Sequence, residues 1–137
     1  MIVVIDGQGG KIGKMLVEQL KARLPQVPLI AIGTNSIATA TMLKAGADAG
    51  ATGENPVIVN ARQADVIVGP LGIIIADALL GEKTPKMAQA ICQSRAQKIL
   101  LPVNRCHTTI VGLKEISLNE AVALAVAEVE QLLTGKE

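Results

Sequence analysis

Residues 7–13, Gly7-Gln8-Gly9-Gly10-Lys11-Ile12-Gly13, place four glycines and a lysine between an apolar run, Val3-Val4-Ile5, and an apolar stripe at helical spacing. The chemistry this favours is the binding of an anion. Glycine admits positive φ and lets backbone N–H groups approach a phosphate closely. The N-terminus of a following helix adds partial positive charge at the same place. The N–H groups of Gln8, Gly9, Gly10, Lys11 and Ile12 are the expected phosphate donors, and Gly13 would let the helix pack close to the strand. The loop reads G-x-x-G-x-x-G and contains G-x-G. A strict G-x-G-x-x-G would need glycine where Gln8 stands. A Walker P-loop is excluded, because Gly13-Lys14 is followed by Met15, which carries no magnesium-binding hydroxyl. The competing reading is a glycine turn that serves packing alone.

Other residues sit where such a ligand would reach. Asp6 lies at the mouth of the loop. A carboxylate there repels a phosphate by about 4 kcal/mol at roughly 4 Å and an effective dielectric constant near 20. Lys11 and Lys14, or a divalent cation, would offset this; alternatively Asp6 accepts loop N–H groups and shapes the turn. A ribose-binding acid is expected about 20 residues past the glycines. Gly33-Thr34-Asn35 stands there instead. Thr34 and Asn35 can bond a ribose or a 2′-phosphate, or cap the next helix, and no local Arg favours NADP. Gly69 and Pro70 would either line the ribose of a nicotinamide or simply end a strand.

Asn104-Arg105-Cys106-His107 follow a central strand. Asn104 joins the candidate cofactor-binding set, and Arg105 can pair with a phosphate or a carboxylate. Cys106 beside His107 raises a thiolate–imidazole reading, but neighbours on an extended segment point to opposite sides. A polar loop with an inert thiol is the simpler reading. The sole histidine excludes a multi-histidine metal site within one chain.

The elements that must hold these residues alternate between strand and helix. Strands are expected at residues 3–5, 29–32, 65–68 and 98–101, each built on three or four consecutive apolar residues, as in a buried parallel sheet. A fifth, short edge strand falls at 49–52, and Thr109-Ile110-Val111 is a further edge candidate. Helices are expected after Gly13, with Ile12, Leu16, Leu20 and Leu24 in one stripe, and over 37–45, 73–80, 85–94 and 121–133. Residues 57–59 fit a helix or a strand equally. Thr84 caps the helix that begins at Pro85, and Ser117-Leu118-Asn119-Glu120 is a capping box. Strand–helix alternation predicts one three-layer α/β Rossmann-like domain over residues 1–137, a mainly parallel sheet of about five strands with helices on both faces. Ligands then sit beyond the carboxyl ends of the strands.

Composition narrows the function. The 137 residues carry 13 Lys+Arg and 12 Asp+Glu, a net charge of +1, and half are hydrophobic. Near-neutral charge argues against a nucleic-acid partner, and the absence of Phe, Trp and Tyr removes base-stacking platforms. No uncharged apolar stretch approaches the roughly 18 residues of a membrane span. The first residues lack a secretory n-region, and the two cysteines form no C-x-x-C, so a reducing cytoplasm is expected. So apolar a chain also fits a homo-oligomer.

Val3-Val4-Ile5-Asp6-Gly7-Gln8-Gly9-Gly10-Lys11-Ile12-Gly13 resembles the N-terminal fingerprint of dihydrodipicolinate reductases. In those enzymes a G-x-G-G-basic-apolar-G loop holds the pyrophosphate of a nicotinamide dinucleotide. The whole chain resembles a small family of bacterial proteins of unknown function, known mainly from anaerobic Gram-positives. That likeness rests on Ile5-Asp6-Gly7-Gln8-Gly9-Gly10, Gly33-Thr34-Asn35, Ala51-Thr52-Gly53-Glu54-Asn55, Val68-Gly69-Pro70 and Pro102-Val103-Asn104-Arg105-Cys106. The expectation is a nucleotide- or dinucleotide-binding protein, with NAD or NADP as the implied cofactor. No room remains for a separate substrate domain, so whether it is an enzyme stays open. The alternative is a non-catalytic homo-oligomeric assembly or regulatory module with a purely structural glycine loop. A thiol enzyme built on Cys106 is a third reading.

Overall fold

The computed structural model describes residues 1–103 and 105–135. Five parallel strands form one sheet: β1 (Ile2–Asp6), β2 (Leu29–Gly33), β3 (Ala49–Thr52), β4 (Val66–Pro70) and β5 (Gln97–Leu101), in the order β3-β2-β1-β4-β5. Val4 lies opposite Ala31 on one side and Val68 on the other. β1 is therefore central, and all five of its residues are buried. That double burial explains why its sequence is continuously apolar up to Asp6.

Helices α1 (Lys11–Arg23), α2 (Ser36–Lys44) and α5 (Leu118–Thr134) cover one face. Their Leu16, Leu20, Met42, Val122 and Val126 pack with Ile2, Val4 and Val68. Helices α3 (Glu54–Gln63) and α4 (Pro85–Gln93) cover the other face, where Val57, Ala61, Met87 and Ile91 meet Val3, Ile5 and Ile67. This is the Rossmann-like three-layer arrangement. Val57 and Ala61, one helical turn apart and both buried, settle residues 57–59 as helix. The caps fall where the sequence places them: Met87 N–H donates to Thr84 Oγ1 at 3.2 Å and Glu120 N–H to Ser117 Oγ at 3.1 Å.

Two expected elements are absent. Only Leu71–Ile74 of the apolar run after β4 is helical, as one 3₁₀ turn. Residues 75–83 then form a strap, closed by Asp77 N–H to Lys83 O at 2.7 Å and Lys83 N–H to Ala78 O at 3.1 Å. Asp77, Leu79 and Leu80 adopt left-handed φ of 64°, 59° and 58°. Burial of Ala78, Leu79 and Lys83 against the body of the protein outweighs the helical preference of the segment. Residues 109–111 form no strand. Leu113 N–H turns back to Ile110 O, and Gly112, at φ 82°, breaks the extended run.

Candidate functional site

β2 and β4 flank β1, and the chain leaves them towards opposite edges of the sheet. The carboxyl end of β1 is thus the topological switch point, where open α/β sheets take their ligands. The glycine bend lies there. Gly10 has φ 77°, and a Cβ on it would stand 2.9 Å from Ala38 Cα in α2. Glycine at this position is set by both backbone conformation and the approach of α2. At Gly69 a Cβ would run into the carbonyl oxygen of Ile5, so β4 approaches β1 closely beside the bend.

Asp6 is the internal brace. Its carboxylate is buried and accepts from Gly7 N–H at 2.8 Å and Gly13 N–H at 2.7 Å. Burial pushes its pKa up, opposed by the N–H groups of Gly13, Gly7 and Ile12 and by the charge of Lys83. Gly10 N–H turns back to Gly7 O at 3.0 Å. Of the expected phosphate donors, Gly9 and Lys11 keep N–H groups with no partner among the described residues. Above them lies a cavity of about 330 Å³, lined by residues 6–12 with Val103 and Leu118. A Cβ on Gly9 would meet nothing within 4 Å.

On the β2 side the strap closes in. Glu82 Oε1 accepts from Gln8 N–H at 3.0 Å, Thr34 Oγ1 at 2.6 Å and Asn35 Nδ2 at 2.8 Å. Burial pushes the Glu82 carboxyl up, but these three donors together outweigh it and hold the group below the usual range. Asn35 also donates to Gln8 O at 2.8 Å, and its Oδ1 accepts from Ala38 N–H at 2.9 Å. Thr34 and Asn35 therefore lie beside the glycine bend, and Asn35 caps α2 as well.

Lys83, next to Glu82, is fully buried, and its Nζ lacks a hydrogen-bond partner among the described residues. Burial brings its pKa down to about 8, opposed by the charge of Asp6. Neither Glu82 nor Lys83 was a sequence candidate. The available signal was positional: in a sheet with β4 beside β1, the loop after β4 can reach the end of β2. The apolar run before it hides that loop inside an apparent helix.

A family model matches residues 1–134. The chain belongs to DUF3842, a family of domains of unknown function. No curated protein and no solved structure matches it.

In this DUF3842 chain the turn after β5 borders a second hollow of about 550 Å³, lined in part by Pro102, Val103, Arg105 and Leu118. It shares Val103 and Leu118 with the cavity over the glycines, so the two adjoin. Asn104 lies outside the described residues. Cys106 and His107 both take left-handed φ, 46° and 62°, within a turn. Among the described residues no group of three His, Cys, Asp or Glu side chains could hold a metal ion, and no helix is long and apolar enough to cross a membrane.

Proposed function

We propose that this protein binds a nucleotide or dinucleotide, with its phosphates over the amino end of α1. The observation that carries the reading is the cavity above the glycine bend, lined by Gly9 and Lys11, whose N–H groups have no partner among the described residues. Two free donors at the start of a 13-residue helix favour negative charge by geometry and by the helix dipole. Gly9, with open space around it, lets a ligand reach the backbone. The adjoining hollow beside Val103 and Arg105 gives room for more than one phosphate group, within the usual range of ligand pockets. An NAD-type dinucleotide is the ligand class that fits a bend of this form at a switch point. Gly69 and Pro70, at the carboxyl end of β4, are buried and are not among the residues lining either hollow; Gly69 lets β4 approach β1 beside the bend.

The second reading, an assembly or regulatory module, draws on the part of the bend that is internally satisfied. Asp6 takes two of its amides, and Gly10 is needed for contact with α2.

Thermal melting followed by circular dichroism separates the two, since the chain has no aromatic fluorophore. ADP, NAD or NADH at about 100 times its dissociation constant stabilises a binding protein by roughly 2.7 kcal/mol. Unchanged melting with all of them removes the nucleotide reading and leaves the packing one.

A further inference from the structure

The dinucleotide reading lacks one part: β2 ends at Gly33 and is followed by Thr34 and Asn35, with no acid to hold a ribose. We infer that Glu82, carried across the sheet by the strap after β4, is the residue that grips the ribose diol and excludes a 2′-phosphate. The inference rests on the nucleotide reading above and adds the choice of ligand.

Three facts support it. The carboxylate stands against Thr34 and Asn35, directly beyond the end of β2, where a ribose acid belongs. It is fixed there by donors from three sources: the glycine bend through Gln8 N–H, the Thr34 hydroxyl and the Asn35 amide. All three bind Oε1. Oε2 has no partner among the described residues and stays available to accept from a hydroxyl. The neighbouring residue supplies a separate sign that the region is built around charge. Lys83 Nζ is wholly buried without a hydrogen bond among the described residues, and Asp6, braced beneath the glycine bend, is its charged neighbour.

A carboxylate in this place acts on the 2′ position in two ways. It accepts a hydrogen bond from a 2′-hydroxyl, and it repels a 2′-phosphate. No cation pairs with Glu82 among the described residues, so nothing there neutralises that repulsion. The predicted preference is therefore NAD over NADP and ATP over 2′-deoxy-ATP.

The test is isothermal titration of the full chain with NAD, NADP, ATP and 2′-deoxy-ATP, on the unchanged protein and on Glu82→Gln. The amide keeps an acceptor for Gln8, Thr34 and Asn35, so the fold is retained, and circular dichroism confirms it. The unchanged protein should bind NAD about tenfold or more tightly than NADP, the effect of one charged contact. In Glu82→Gln that gap should close to within a few-fold, with NAD itself weakened. Equal binding of NAD and NADP, unaffected by Glu82→Gln, overturns the ribose role while leaving the phosphate site intact. Tighter NAD binding by Glu82→Ala than by the unchanged protein also overturns it, by making the side chain a plug in place of a contact. No binding of any of the four overturns the nucleotide reading, and the ribose role with it.

Discussion

Asp6 and Gly13 are joined across the glycine bend by a 2.7 Å hydrogen bond from the Gly13 N–H to a buried carboxylate oxygen. The second oxygen takes Gly7 N–H at 2.8 Å, so one side chain holds both ends of the loop. This explains a negative charge beside a proposed phosphate site: its oxygens are spent inward. Asp6→Asn keeps one acceptor and turns an NH₂ group towards the other N–H. It should destabilise the fold by about 1–3 kcal/mol in urea denaturation, the cost of an unsatisfied buried donor. Unaltered stability would mean that the brace is not structural.

Neighbouring glycines should behave in opposite ways. Gly9→Val adds a side chain in open space and should leave the melting temperature nearly unchanged while abolishing stabilisation by nucleotide. Gly10→Val combines φ 77° with collision against Ala38 and should lose about 1–3 kcal/mol or more of stability. Nucleotide binding retained by a folded Gly9→Val would count directly against the assigned floor of the site.

Lys83 should write its own signature into the pH dependence. Its pKa is about 8 when folded against an ordinary 10.5. Between these values the unfolded chain holds a proton that the folded chain has released, so stability rises with pH. The full rise is about 3 kcal/mol. Below pH 8 the amine is protonated in both states and the cost of burying it is constant. Lys83→Met should flatten the curve between pH 8 and 10.5, and a rise that survives the substitution would have to come from another group.

Thr84 links two helices. It caps α4 through Met87 N–H, and its hydroxyl donates to Glu54 Oε2 at 2.7 Å in the first turn of α3. Thr84→Ala should cost about 1 kcal/mol. Glu54→Gln should cost less, because the cap remains; comparable losses would show that the bridge between helices dominates.

Much of the architecture was legible because burial leaves a period in the sequence. Val3-Val4-Ile5 and the stripe Leu16, Leu20 announce their places, and Thr84, Asn35 and Ser117 announce helix starts through a side-chain oxygen at fixed spacing. The strap was not legible. Ile73-Ile74-Ile75 reads as helix locally, whereas burial of Leu79 beside Gly7 and the three donors around Glu82 come from residues far away in sequence. The same distance hid Glu82 as a partner of Thr34 and Asn35. Asp6 was legible as either a phosphate neighbour or a brace, and its two N–H bonds make it a brace.

The left-handed residues of the strap have a mechanical consequence. A leucine in that backbone region costs on the order of 1 kcal/mol, and Leu79 and Leu80 are both there, Leu80 almost wholly in solvent. The tension in those two leucines is borne by the hydrogen bonds around Glu82 and by the burial of Leu79, because Leu80 itself meets almost nothing but water.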